Sequence, residues 1–353
     1  MAETTTLPGT APRVPAADLQ DTEPLWIVEL TARERDEAGA AVDERFLDPV
    51  LNAGIQPGTS DFFNAGEIAE GMLPERARAA LAALRRGTVP AVLIRGLPSD
   101  VDPGPTPTEP GEPSLSPRRG YGWISIAVRR LGDEFAYAME KKGALVHSIY
   151  PTAQGAETQS NASFRVDLGL HTENAFHPIR PDWVALYCVR TVEHAPATRL
   201  VFLDEVLAQL TDDEIAVLRE PRFTIRVVDS HLAEGEKDIA LPVAPLSGSP
   251  RDPVIRWHET LSANDEVAER AMRAFSAAAQ RATRYVTLGQ GDMLVFANEF
   301  CLHGRDKFEA RLDGTDRWTL RGYALRDITI TRPYVTPARP RVTRIDLSAH
   351  AGD

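Results

Sequence analysis

Among the eight histidines of this 353-residue chain, only His171 is followed two residues later by a carboxylate, Glu173, in the segment GLHTENAFHPIRPDWVALYCV. Residues i and i+2 of a strand project to the same face, so an imidazole and a carboxylate at this spacing can converge on one ion; on a helix they would diverge. The pair therefore asks for an extended segment at His171, with Pro178 and Pro181 marking a loop soon after it. A chain of this composition yields about one His-x-Asp/Glu pair by chance, and a surface histidine beside an unrelated glutamate is the bland alternative. What changes the balance is the segment QGDMLVFANEFCLHGRDKFEARLDGTDRWTLRGYALRD, in which His303 follows an apolar strand and Arg317 comes fourteen residues later. A hairpin turning at Asp313-Gly314 would bring Arg317 back alongside the His303 strand.

Two histidines and one carboxylate on a β scaffold form the facial triad that holds non-haem Fe(II) and leaves three coordination positions open. A nearby arginine suits a dicarboxylate, because its planar fork binds a carboxylate bidentately and its charge does not titrate away on burial. Together these describe an oxygenase with 2-oxoglutarate and O2 as co-substrates. Other candidates carry less. Cys301 lacks an acid at a triad-like position and reads as a small buried apolar residue. His194 and His231 sit in polar loops and read as solvated or substrate-proximal, and no spacing rule gives His177 to the same ion. GQG and HGR lack the glycines and the following helix of a phosphate loop.

At these residues the chain resembles the clavaminate synthase-like branch of the Fe(II)/2-oxoglutarate dioxygenases, which includes β-hydroxylases of free asparagine and arginine. The resemblance runs from about Arg95 to about Asp327 and is dense around LHTENAF, VDSHL and HGRDKFEARLDGTDRW. It implies that His171, Glu173 and His303 ligate iron, that Arg317 clamps the distal carboxylate of 2-oxoglutarate, and that Thr198 shares that carboxylate. Related halogenases have a small residue where Glu173 stands, so its presence resembles the hydroxylating members. On the substrate side, Glu140 of EKKGALV resembles the residue that binds an α-amino group, and Arg321 the one that binds an α-carboxylate. A solvated helix-end residue is the alternative for Glu140. The chain departs from the arginine hydroxylases in VIRWHETLSAN, where His258 and Thr260 stand at the positions of two guanidinium-binding aspartates; Asp229 of VDSHL remains as one acidic contact. An amino acid with a polar or less strongly basic side chain is therefore the expected substrate, hydroxylated at Cβ or Cγ. The rivals are a hydroxylase or desaturase of a carrier-bound amino acid and, from another class, a metal-free jelly-roll binding protein.

The elements that must position these residues read as mainly β with flanking helices, and the resemblance implies a double-stranded β-helix (jelly-roll) core. AVLIRG, ALVHSIY, WVALYCV, FTIRVV, RYVTL, DMLVFAN and WTLRGYAL are rich in β-branched and aromatic residues, with turns expected at GQG (Gly289 to Gly291) and Asp313-Gly314. Helices are expected after Pro74 up to Gly87, from GWISIAVRRL on to Gly143, after a Thr211/Glu214 capping box, and after an Asn264 cap. Residues 1–25 read as a disordered tail and 26–353 as a single domain, with a Pro/Gly-rich loop at about 101–120. Two cysteines exclude a disulfide framework, so a metal must use histidine and carboxylate. The net charge of -12 argues against nucleic acid and anionic membranes as partners and leaves a small molecule. The first residues lack a basic and apolar signal pattern, which predicts a cytoplasmic protein.

Overall fold

Strands alternating between two apolar faces dominate the computed structural model, which describes residues 23–350 except 112–114, 159 and 233–237. The Trp183–Arg190 strand shows the principle. Its Val184, Leu186 and Cys188 point into one core while Trp183, Ala185, Tyr187 and Val189 point into another, so a run that is apolar throughout must lie between two layers. Around it a seven-stranded sheet runs in the order Leu25–Glu29, Ala91–Arg95, Met293–Ala297, Trp183–Arg190, Trp318–Leu325, Asp133–Glu134, with Val146–Ile149 also paired to Trp318–Leu325. Only the first pair is parallel. One face is covered by the helices Ala32–Val42, Ser60–Ile68, Glu75–Arg85 and Arg118–Leu131. The other faces a four-stranded sheet in the order Arg284–Val286, Thr198–Phe202, Cys301–Arg305, Leu168–His171. Behind that smaller sheet lie the Glu266–Arg281 helix and the three-stranded sheet Ala240–Val243, Phe223–Arg226, Leu261–Ala263.

All seven strand-like segments contain strands. The Pro74 to Gly87 helix and the Thr211/Glu214 capping box also form as expected. Four expectations are corrected. The helix from Arg118 stops at Leu131 rather than running to Gly143, because the chain at Gly132 passes so close to the Trp318–Leu325 strand that a Cβ there would lie 2.1 Å from the Leu325 carbonyl oxygen. Asp265, not Asn264, caps the Glu266–Arg281 helix, its Oδ1 accepting from the Val267 and Ala268 N–H groups, while Asn264 accepts from the Thr224 hydroxyl. The turns at GQG and Asp313-Gly314 do not close hairpins; each carries the chain from the four-stranded sheet to the seven-stranded one. At Gly291 (φ 82°) a side chain would meet the Leu97 carbonyl at 2.2 Å, so this crossing needs glycine. The first strand begins at Leu25, inside the expected tail, whose first 22 residues lie outside the described residues. Residues 101–117 form neither helix nor strand where they are described, and Arg118 opens a helix.

Candidate active site

His171 is the last residue of its strand and stands directly opposite His303 in antiparallel register, their rings 4.2 Å apart. Beyond His171 the chain turns, with Asn174 in the left-handed region (φ 51°) that asparagine tolerates, and the turn holds Glu173 beside the two rings. Two distant residues pin this turn. Asn298, fully buried, accepts from the Glu173 N–H at 2.7 Å and donates to the carbonyls of Glu173 (3.2 Å) and Pro181 (3.1 Å). The N–H of Thr172 donates to the Trp257 carbonyl at 2.8 Å, and the Trp257 N–H returns a bond to the Thr172 hydroxyl.

This set fits a divalent ion. The ligand atoms of His171, Glu173 and His303 all lie within 4.8 Å of one another. The Nδ1–H of His171 donates to the Gly169 carbonyl at 2.8 Å, so Nε2 keeps its lone pair for a metal. Burial and the neighbouring His303 push the His171 imidazole down to about 3, which keeps it in the neutral, ligating form. Burial would raise Glu173, but the Arg321 guanidinium and His303 hold its carboxyl down at about 2, fully ionised. The Nε2 of His303 faces Glu173 Oε2 at 3.6 Å, while its Nδ1 is buried with no partner among the described residues.

Arg317 and Arg321 line one cavity with His303, Glu173 and Thr198, yet they meet it differently. Half-buried Arg317 makes no hydrogen bond or ion pair with the described residues, and burial lowers its pKa. It crosses from the opposite sheet to the His303 side instead of returning beside it, so the two residues share a cavity but not a ladder. Arg321 donates to Glu173 Oε2 at 2.9 Å, to His147 Nδ1 at 2.7 Å and, in a short ion pair, to Glu140, and it lies over the Tyr323 ring. Glu140 is not a solvated helix-end residue: it also accepts from the Tyr323 hydroxyl (3.2 Å) and lies 3.5 Å from Asn174 Nδ2. Burial would raise it, but Arg321 and His147 hold it well below the usual carboxylate range.

The remaining candidates divide. Thr198 is buried at the start of its strand, paired in register with Arg305. His258 lies 5.9 Å ring to ring from His171. Thr260 is engaged locally, its N–H donating to His258 Nδ1 and its hydroxyl to the Arg226 carbonyl. Asp229 is exposed, whereas its neighbour His231 is not solvated but buried against Phe176 and Tyr137. His194 is exposed. His177 is a satisfied core histidine, its Nδ1–H donating to the Ile179 carbonyl at 2.6 Å, and burial pushes it down to about 3. Sequence reasoning missed Asn298, His147, Tyr323 and Arg305. Of these, Tyr323 alone left a trace, since it shares the strand face of Arg321 at i+2.

A two-histidine, one-carboxylate centre between facing β-sheets, with a bare guanidinium beside it, defines a mainly β metallo-oxygenase. Residues 120–323 match the family described as "Taurine catabolism dioxygenase TauD, TfdA family", and the chain belongs to it. It is similar to the L-lysine 3-hydroxylase of Catenulispora acidiphila, 32% identical over 329 residues that cover 88% of this chain and 87% of the relative. It is also similar to the L-asparagine oxygenase of Streptomyces coelicolor, 33% identical over 299 residues that cover 81% and 88%. Among solved structures, asparagine oxygenase in complex with Fe(II), (2S,3S)-3-hydroxyasparagine and succinate superposes with a TM-score of 0.80 at 30% identity, covering 90% of this chain and 99% of that one. The chain is thus an Fe(II)- and 2-oxoglutarate-dependent dioxygenase. No helix among the described residues is long and apolar enough to cross a membrane.

Proposed function

We propose that this enzyme hydroxylates an unactivated C–H bond, at Cβ or Cγ, of a free L-amino acid, and that it does so as one domain whose two facing sheets are the halves of a double-stranded β-helix. The observation that carries the reading is the pairing of Arg317, without hydrogen bond or ion pair among the described residues, with an acid–base couple, Glu140 and Arg321, around one metal-ligand set. His171, Glu173 and His303 would hold Fe(II), which with 2-oxoglutarate supplies the oxygen-activating chemistry. Arg317 would receive the distal carboxylate of 2-oxoglutarate through its fork, with Thr198 beside it. Glu140 would take the substrate's α-ammonium and Arg321 its α-carboxylate, so that the zwitterion replaces their mutual ion pair by two intermolecular ones and leaves no buried charge bare. His258 and Thr260 would lie along the side chain, with Asp229 at the rim. The hydrophobic sheets around the site exclude water, and the four-point hold fixes which carbon faces the metal. Two buried, unbridged cysteines suit a reducing cytoplasm.

The experiment is mass spectrometry after incubation with Fe(II), 2-oxoglutarate and each proteinogenic amino acid. One amino acid should gain a single oxygen atom in step with succinate. Oxygen entering only a carrier-bound thioester would overturn the free-acid reading, and loss of two hydrogens would make the enzyme a desaturase.

A further inference from the structure

Arg305 ends the Cys301–Arg305 strand, two residues beyond His303 and directly opposite Thr198 in antiparallel register. Positions two apart on a strand, and partners across a ladder, project to the same face, so the side chains of His303, Arg305 and Thr198 look the same way. Cys301 and Leu200, which share that face, pack in the core between the two sheets, so the face looks toward the seven-stranded sheet. From that sheet Arg317, Thr319 and Arg321 meet the same cavity, whose wall also includes Asn161. Arg305 and Arg317 thus reach one cavity from opposite sheets.

Arg305 is only 5% exposed, and every group that holds it is neutral. Its Nη2 donates to the carbonyl (2.8 Å) and hydroxyl (2.9 Å) of Ser163, its Nη1 donates to the Asp306 carbonyl (3.0 Å), and the guanidinium lies 4.9 Å from the centroid of the Phe308 ring. The nearby acids are turned elsewhere. The Asp306 carboxylate faces Arg199 at 3.4 Å, Asp167 accepts from the Lys307 N–H, and Glu173, the carboxylate that lines the cavity, is bound by Arg321. Burial and the neighbouring Arg317 push Arg305 down only to about 10, so it stays charged at neutral pH. Two guanidiniums without a carboxylate partner among the described residues therefore share this cavity, and an anion that enters it relieves both their repulsion and their burial.

Resting on the placement of the distal carboxylate of 2-oxoglutarate at Arg317 proposed above, we propose that Arg305 is a second cation of that subsite and makes the cavity prefer a dicarboxylate to a monocarboxylate 2-oxo acid. Its N–H groups stay on Ser163 and Asp306, so it acts through its charge rather than as a second fork. The test is calorimetric titration of the oxygen-free, Fe(II)-loaded enzyme with 2-oxoglutarate and with 2-oxopentanoate, the same chain with a methyl in place of the distal carboxylate. The ratio of the two dissociation constants is the readout. Arg305→Gln should cut the preference for 2-oxoglutarate about tenfold or more and leave 2-oxopentanoate within about twofold of the unaltered enzyme. Arg305→Lys, which keeps the charge, should retain more of the preference. Because both substitutions also loosen Ser163, a third variant leaves Arg305 intact: Arg317→Met should bind 2-oxoglutarate more weakly yet still prefer it at least about threefold, through Arg305 alone. Equal weakening of both ligands by Arg305→Gln, equal loss of preference in the Gln and Lys variants, or no remaining preference in Arg317→Met would overturn the inference and leave the role of Arg317 standing. Affinity for 2-oxoglutarate untouched by Arg317→Met would instead remove the placement on which the inference rests.

Discussion

Arg317, just before the Trp318–Leu325 strand, and Arg321, within it, lie four residues apart, and their surroundings could hardly differ more. Arg321 is wrapped by two carboxylates, an imidazole and an aromatic face, while Arg317 makes no hydrogen bond or ion pair with the described residues. A half-buried charge without a partner is costly, and a ligand that arrives later, as proposed above, would offset that cost at Arg317. Arg321 carries its counter-ions with it. A ligand that docks there must bring both a positive and a negative group, or it strands one of the buried charges. On the function proposed above, the contrast separates a site for an anion from a site for a zwitterion.

Removing the metal ligands breaks the comparison altogether. His171→Ala or His303→Ala should abolish Fe(II) binding and 2-oxoglutarate turnover together, measured by metal analysis and succinate formation, and a variant that retains full iron would refute the ligand set. The next effect is on stability. Arg321→Met leaves Glu140 and Glu173 without their shared counter-ion and should destabilise the metal-free protein by roughly 3–5 kcal/mol, whereas Arg317→Met should leave the thermal midpoint unchanged or raise it. Equal losses in the two variants would show that Arg317 is paired in solution. A third test asks what each cation binds. Arg317→Lys should raise the apparent constant for 2-oxoglutarate about tenfold or more, since a point charge cannot replace the fork, with the amino-acid constant little changed. An unchanged 2-oxoglutarate constant would move that role to Arg321.

The smallest effect concerns a third arginine, on the surface. Arg76 pairs with Glu34 at 2.7 Å, and this bond holds the Glu34 carboxyl down at about 2. A depressed carboxyl stabilises the fold above its unfolded pKa, and that contribution fades as pH falls from about 4.5 toward 2. Glu34→Gln should therefore lower the thermal midpoint by no more than a degree or two at neutral pH, and the difference should vanish in acid. A deficit that persists in acid would assign the effect to the capping box of Thr31 and Glu34 rather than to the charge.

The chemistry was more legible than the route the chain takes to it. The clustering of His171, Glu173 and His303 could be read because two lie two residues apart and the third sits in a distinctive segment, whereas Arg321 was indicated by the family resemblance alone. The path from His303 to Arg317 was misread, since Asp313-Gly314 suits a local hairpin and nothing local reveals that the two strands belong to opposing sheets. Asn298 was invisible for a related reason: it supports Glu173 from 125 residues away, and an asparagine after an apolar strand looks like a turn. Glu140 was singled out by the family resemblance alone; read without it, a glutamate beside two lysines suits a solvated helix end, but the helix had already stopped at Leu131 and the chain had turned inward.

An enzyme that activates oxygen is the first target of its own stray oxidants. Thiolates are the easiest side chains to damage, and this chain carries only Cys188 and Cys301, both sealed in the core near the centre of that chemistry. Burial pushes the Cys188 thiol up to about 12 and Cys301 higher still, so neither ionises at any working pH. The protein thus offers an uncoupled cycle no thiolate to burn, and its working lifetime should be set by loss of iron or attack on other side chains rather than by cysteine oxidation.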